Sequence, residues 1–164
     1  GSLLLAATFG LAATAMFFMV GFIFHRTRTT ELGSLGGLFD VMPLVGAAFF
    51  VSALAIVGMP GTPGFDAAHL VLEAGIRAFG ALPTVGAALA NVAAAGFLLW
   101  AFQRAFLSPL PSWLPQQKLD PATLRENFVA LTVMLVVLGA GFFMAPWMDL
   151  VEAPLNQLAL RFAR

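Results

Sequence analysis

The stretch Gly58-Met59-Pro60-Gly61-Thr62-Pro63-Gly64-Phe65 closes a run of uncharged residues that begins at Val41. Pro60 and Pro63 each lack a backbone N–H, and Gly61 and Gly64 admit backbone angles that other residues avoid. A helix arriving through Pro43 to Gly58 therefore breaks here. How that break is read decides the fold, because an irregular backbone inside hydrocarbon survives only where protein or a water-filled cavity satisfies its freed polar groups. Two placements are open: a loop at the edge of a membrane, or a discontinuity that lines a cavity.

The composition puts the surrounding helices in a membrane. Of the 164 residues, 60% are hydrophobic and only 10% are charged, far from the roughly 25% charged content of a soluble globular chain. Besides Val41 to Phe65, the runs Gly1 to Phe24, Ala78 to Gln103 and Asn127 to Met148 carry no Asp, Glu, Lys, Arg or His. Each exceeds the roughly 20 residues that a helix needs to cross about 30 Å of hydrocarbon. None of the runs alternates polar and apolar residues as the strands of a β-barrel must. The expected fold is an all-α integral membrane protein of about five transmembrane helices, one of them short or discontinuous, followed by an amphipathic helix at the C-terminus.

The chain lacks Cys, so it holds no disulfide, thiolate metal site or iron–sulfur ligand of its own. Its two His, His25 and His69, are far apart in sequence and suggest no metal cluster. No cofactor is expected. The formal net charge of zero argues against a nucleic-acid partner. Gly1 to Phe24 is too long, and lacks the basic start, for a signal peptide. It reads as a true span, with Gly1 the start of a fragment or a processed chain.

Beyond the break, Asp66 to Gly80 is short for a span. Its polar residues, Asp66, His69, Glu73 and Arg77, fall at helical spacing along one face, with Glu73 and Arg77 placed to pair. A charge at the bilayer centre costs about 2.5 to 3.5 kcal/mol even on a lenient scale, so this face cannot look into lipid. It either lies in water at the interface or turns into the helix bundle.

The remaining segments frame this one. The span Ser2 to Phe24 intersperses Ala6, Gly10, Ala13, Ala15 and Gly21 among larger residues, a pattern that lets membrane helices approach closely. A polar connection, His25 to Glu31, leads to the glycines 33, 36 and 37 before the second span. The span Pro83 to Phe106 ends at Trp100 and Arg104, residues suited to the membrane interface. Pro109, Pro111, Pro115 and Pro121, with Lys118 and Asp120, mark an extramembrane loop. Asp120 as N-cap and Pro121 at the first position are expected to start the next helix, which carries Arg125 and Glu126 into the span Asn127 to Met148. Domain boundaries follow: residues 1–148 form the transmembrane set, and residues 149–164 form an interfacial helix with Val151, Leu155, Leu158 and Phe162 on its apolar stripe. Basic residues are spread over alternate loops, which leaves the orientation open.

The segment GMPGTPGF resembles the GLPGTSGF signature near the C-terminal end of the antiporter-like subunits of respiratory complex I, the NADH-quinone oxidoreductase subunit M type in particular, a family related to the Mrp antiporters. The run GLAATAMFFMVGFIFHRTRTTEL with GGLFDVMP is similar to the family's tenth helix, its ER-x-HT connection and its GGL-x-x-x-MP lead-in to the eleventh. WAFQRAFLSP resembles the end of the thirteenth helix, and LRENFVALTVM the start of the fourteenth. Family members have many more spans, so this chain would supply only the last five and the terminal amphipathic helix.

The resemblance implies proton translocation with no redox chemistry in this chain, alongside other membrane subunits of a complex I-like assembly, in the lipid bilayer of a bacterial inner membrane. It also implies which residues carry the work. The family's carboxylate on the twelfth helix falls on Ala68, and its His on the tenth falls on Phe9. Asp66 and His69 flank the vacant position, so the expected proton relay is Asp66, His69, Glu73 and Arg77, with Pro60, Gly61, Pro63 and Gly64 as the helix break. The alternatives are a paralogous subunit of a cation/proton antiporter, a hydrogenase or an inorganic-carbon uptake complex, and a non-conducting structural subunit.

Overall fold

A computed structural model describes residues 2–111 and 119–143. Among them every regular element is helical. Helix α1 spans Ser2–Thr27, α2 Leu38–Val41, α3 Pro43–Val57, α4 Pro63–Phe79, α5 Ala81–Phe102 and α6 Leu124–Phe142. A 3₁₀ turn at Leu32–Ser34 precedes α2, and a π-helical turn at Gln103–Leu107 extends α5. Three of these, α1, α5 with its π turn, and α6, are long and apolar enough to cross a membrane. The expected interfacial helix at 149–164, and Pro115 and Lys118 of the long loop, lie outside the described residues.

Helix α1 packs principally against α3 and α4. It buries Leu4, Thr8, Ala12, Ala15, Met19, Ile23 and Thr27, one stripe at steps of three and four. The expected role of its small residues is only partly met. Ala15 lies on the stripe, but nothing comes within 4 Å of where a side chain would stand at Gly10 or Gly21. Close approach at glycine occurs elsewhere, at the break.

Helices α3 and α4 line up in tandem along α5. Near the start of α3, Gly46 lies against Phe106, and Phe49 and Phe50 lie against Phe102. At the end of α3, the Val57 carbonyl accepts a hydrogen bond from Asn91. Further on, Gly75 of α4 faces Thr84. The α5 partner moves steadily from Phe106 back to Thr84, about 33 Å of helix and one membrane thickness. The two short helices therefore share the length of α5, with the break about two thirds of the way from the Phe106 level. The break thus lies alongside the body of α5, level with Asn91, rather than at its end.

The apolar core sits at the Phe106 end. Met19 and Ile23 of α1, Leu38 of α2, Met42, Val45 and Phe49 converge there with Phe106 and Ala130. Arg26 closes this end, bonding to the Glu126 carboxylate and to the carbonyls of Asp120 and Pro121. Those contacts correct the expected helix start. With its carbonyl committed to Arg26, Asp120 stays outside the helix, and Thr123 is the N-cap of α6. The Thr123 hydroxyl accepts from the Glu126 N–H while the Glu126 carboxylate accepts from the Thr123 N–H, a reciprocal capping box.

Candidate functional site

The interruption is built from three glycines and the neighbours that press on them. Gly58 ends α3 with φ +76°, the left-handed conformation that glycine adopts without penalty. Its N–H returns to the Ala55 carbonyl and the Met59 N–H to the Leu54 carbonyl, which closes the helix in a Schellman motif. Gly61 also has positive φ, +88°. Pro63 and Gly64, expected within the gap, instead form the first turn of α4, where the proline's missing N–H costs nothing. A side chain on Gly64 would collide with the Ala55 carbonyl, so this position brings the two helix ends into backbone contact.

The four polar residues of the stripe do share one face of α4, as their spacing requires. Glu73 Oε1 accepts from Arg77 Nη2 at 2.6 Å. The His69 ring stacks on Phe65, centroids 6.5 Å apart and planes 19° from parallel. The face does not turn into this helix set, however. Asp66 is half-buried, whereas His69, Glu73 and Arg77 are exposed. Within the described residues the stripe lies on the side of α4 away from its neighbours. What α4 presents to its neighbours is Pro63, Gly64 and Ala67, small residues that allow close packing where a charged face would have to be desolvated. The stripe runs from Asp66, beside the break, to Arg77, near the turn at Gly80.

Behind α4 lies a cavity of about 490 Å³, bounded by Phe9 of α1, Ile56 and Val57 of α3, Ala68 and Leu72 of α4, and Asn91 of α5. Phe9 and Ala68, on separate helices, share this cavity. They are the positions at which the resemblance places an imidazole and a carboxylate. Among the described residues no three His, Asp or Glu side chains gather where a metal could bind.

Two residues of the site escape sequence reasoning. Gly141 of α6 lies so close to the backbone of Gly61 and Thr62 that no side chain fits there. A glycine inside an apolar run was its only signal. Asn91 was the more legible, as the one amide inside an Ala-rich span, and polar groups at that depth are expensive and usually have a purpose.

The described residues form a set of apolar helices with one interrupted pair and a polar face leading away from the interruption, and comparison with known proteins identifies the family. Residues 1–85, from α1 to the first turn of α5, match the family described as NADH:quinone oxidoreductase/Mrp antiporter, TM, and the chain belongs to that family. It is 34% identical over 151 residues to an NAD(P)H-quinone oxidoreductase chain 4 of a Synechococcus strain, across 87% of this chain and 28% of that protein. It is 26% identical over 158 residues to NADH-quinone oxidoreductase subunit M of Escherichia coli K12, across 96% of this chain and 31% of that protein. The chain thus spans under a third of the length of these relatives. A solved Mrp complex from Dietzia sp. DQ12-45-1b shares the fold, with a TM-score of 0.69 over 85% of this chain and 34% of the solved chain, at 22% identity.

Proposed function

We propose that this chain is the C-terminal portion of a proton-translocating, antiporter-like subunit in an NADH:quinone oxidoreductase-type complex, seated in a bacterial inner membrane beside other membrane subunits. The observation that carries this reading is the stripe Asp66, His69, Glu73, Arg77 on a helix that starts at an interrupted backbone. Protons reaching the break pass to His69, whose imidazole takes up a proton on one ring nitrogen and releases one from the other. Glu73 takes the proton next, and Arg77 holds the Glu73 carboxylate at the outer end of the path. The outward aim of the face fits a path completed by water or by another protein surface, because lipid against these groups is too costly. The chain itself supplies no redox chemistry.

The test is His69→Phe combined with Glu73→Gln in the assembled complex. Proton pumping into sealed vesicles falls while NADH oxidation in detergent stays near wild type. Pumping at the wild-type rate overturns the relay.

The apolar pair Phe9 and Ala68 supports a second reading, a subunit that has lost conduction and serves as scaffold, in this complex or in a paralogous antiporter, hydrogenase or inorganic-carbon complex. Co-purifying subunits separate these assemblies, flavin and iron–sulfur subunits marking the first. Water accessibility at His69 separates relay from scaffold.

A further inference from the structure

Helix α3 ends partway along α5, so its last carbonyls need partners beyond the helix's own i→i+4 hydrogen bonds. Leu54 and Ala55 receive the N–H groups of Met59 and Gly58. The Val57 carbonyl instead receives Asn91 Nδ2 at 2.7 Å, from α5. Thr84 and Asn91 are the two polar side chains of α5, and Thr84 Oγ1 turns back to the Gly80 carbonyl of its own chain segment. Among the described residues, Asn91 is therefore the one α5 side chain that bonds across to another helix at this depth. A carbonyl only accepts, so the amide presents its NH₂ to Val57, and its Oδ1 remains available as an acceptor.

We propose that Asn91 is the positioning residue of the interruption: by holding the last carbonyl of α3 it fixes where α4 begins and how far the face bearing Asp66, His69 and Glu73 is rotated. The inference rests on the relay reading for its functional consequence, but not for its structural one. With Asn91 in place the end of α3 is pinned to α5. Without it the Val57 carbonyl seeks water, and the segment Gly58 to Phe65 opens toward the cavity that Asn91 lines. The walls that α1, α3 and α4 contribute to that cavity carry no titratable side chain. A pH response created at position 91 thus belongs to position 91.

The experiment uses the assembled complex with Asn91→Leu, which keeps the branching of the side chain and removes the donor, and with Asn91→Asp. Asn91→Leu is expected to raise deuterium exchange across Gly58 to Phe65 about fivefold, the scale of one interhelical hydrogen bond, and to lower proton pumping by a similar factor. Asn91→Asp retains pumping at low pH, where the protonated carboxyl donates to Val57, and loses it as pH rises and the carboxylate repels that carbonyl. Should the Leu variant fail to accumulate, the Asp variant measured at two pH values in one preparation decides alone. Wild-type exchange in Asn91→Leu, or an Asn91→Asp pH profile parallel to wild type, overturns the proposal. Raised exchange with unchanged pumping overturns the link to α4. If the His69 and Glu73 double variant pumps normally, the relay falls, and the exchange measurement still judges Asn91.

Discussion

Arg26 and Glu126, a hundred residues apart in sequence, form a two-pronged ion pair in which Nη1 lies 2.8 Å from Oε1 and Nη2 contacts Oε2. Their side chains are only 6% and 13% exposed. The pair joins the end of α1 to the start of α6, and the carbonyls of Phe22, Asp120 and Pro121 take the remaining guanidinium donors. Removing one partner leaves a charge without its counterion in a site sheltered from water. Arg26→Met or Glu126→Gln is expected to destabilise the assembled protein by about 3 kcal/mol, whereas Arg26→Met with Glu126→Gln costs less than the two single changes added together. Thermal unfolding of the four proteins in detergent measures the coupling.

Glu126 also carries the capping box, so Thr123 is tied to the same network. Thr123→Ala removes the hydroxyl that accepts from the Glu126 N–H and bonds to its carboxylate. A loss of about 1 kcal/mol is expected, as for other N-cap deletions. Because Thr123 and Arg26 share the Glu126 Oε2 atom, combining Thr123→Ala with Arg26→Met gives a non-additive change. Strict additivity in the same unfolding assay would show that the cap and the ion pair act independently.

Glycines at the interruption and glycines on the outer face respond in opposite directions. Gly64→Ala drives a methyl group into the Ala55 carbonyl, and Gly141→Ala drives one into the backbone of Gly61. Both obstacles are backbone, so each change is expected to cost about 2 kcal/mol or more. Gly10 is helical and has open space around it, and Gly10→Ala is expected to stabilise by about 0.5 kcal/mol through the better helix propensity of alanine. The yield and thermal stability of the membrane-inserted protein give the order.

The sequence revealed features that depend on local spacing and concealed those that depend on what lies alongside. The α3 limits were legible because Pro43 and Gly58 mark its two ends, and the Glu73–Arg77 pair because four residues make one helical turn. Spacing fixes a face relative to its own axis, not to a neighbouring helix. The stripe's outward aim therefore depended on how closely Gly64 and Ala67 let α4 approach its neighbours, which sequence does not state. The same reason hid Thr123, whose position as N-cap follows from Arg26 holding the carbonyls of Asp120 and Pro121 outside the helix. Gly141 became meaningful only once α6 was seen against Gly61.

Glu73 separates a structural role from a transport role. Its side chain is 49% exposed and that of Arg77 78%, and they form a single i, i+4 pair. Such a pair contributes about 0.4 kcal/mol to stability, and salt screens it further. Glu73→Gln should therefore leave assembly and thermal stability within error of wild type, in contrast to Glu126→Gln, although both remove one carboxylate from an Arg. If Glu73 only decorates a solvated face, proton pumping is equally untouched. If it passes protons along the stripe, pumping falls while stability holds, because glutamine keeps the shape and cannot take up and release a proton under these conditions. Measuring pumping and unfolding on the same preparation makes the distinction, and normal pumping with normal stability removes Glu73 from the relay.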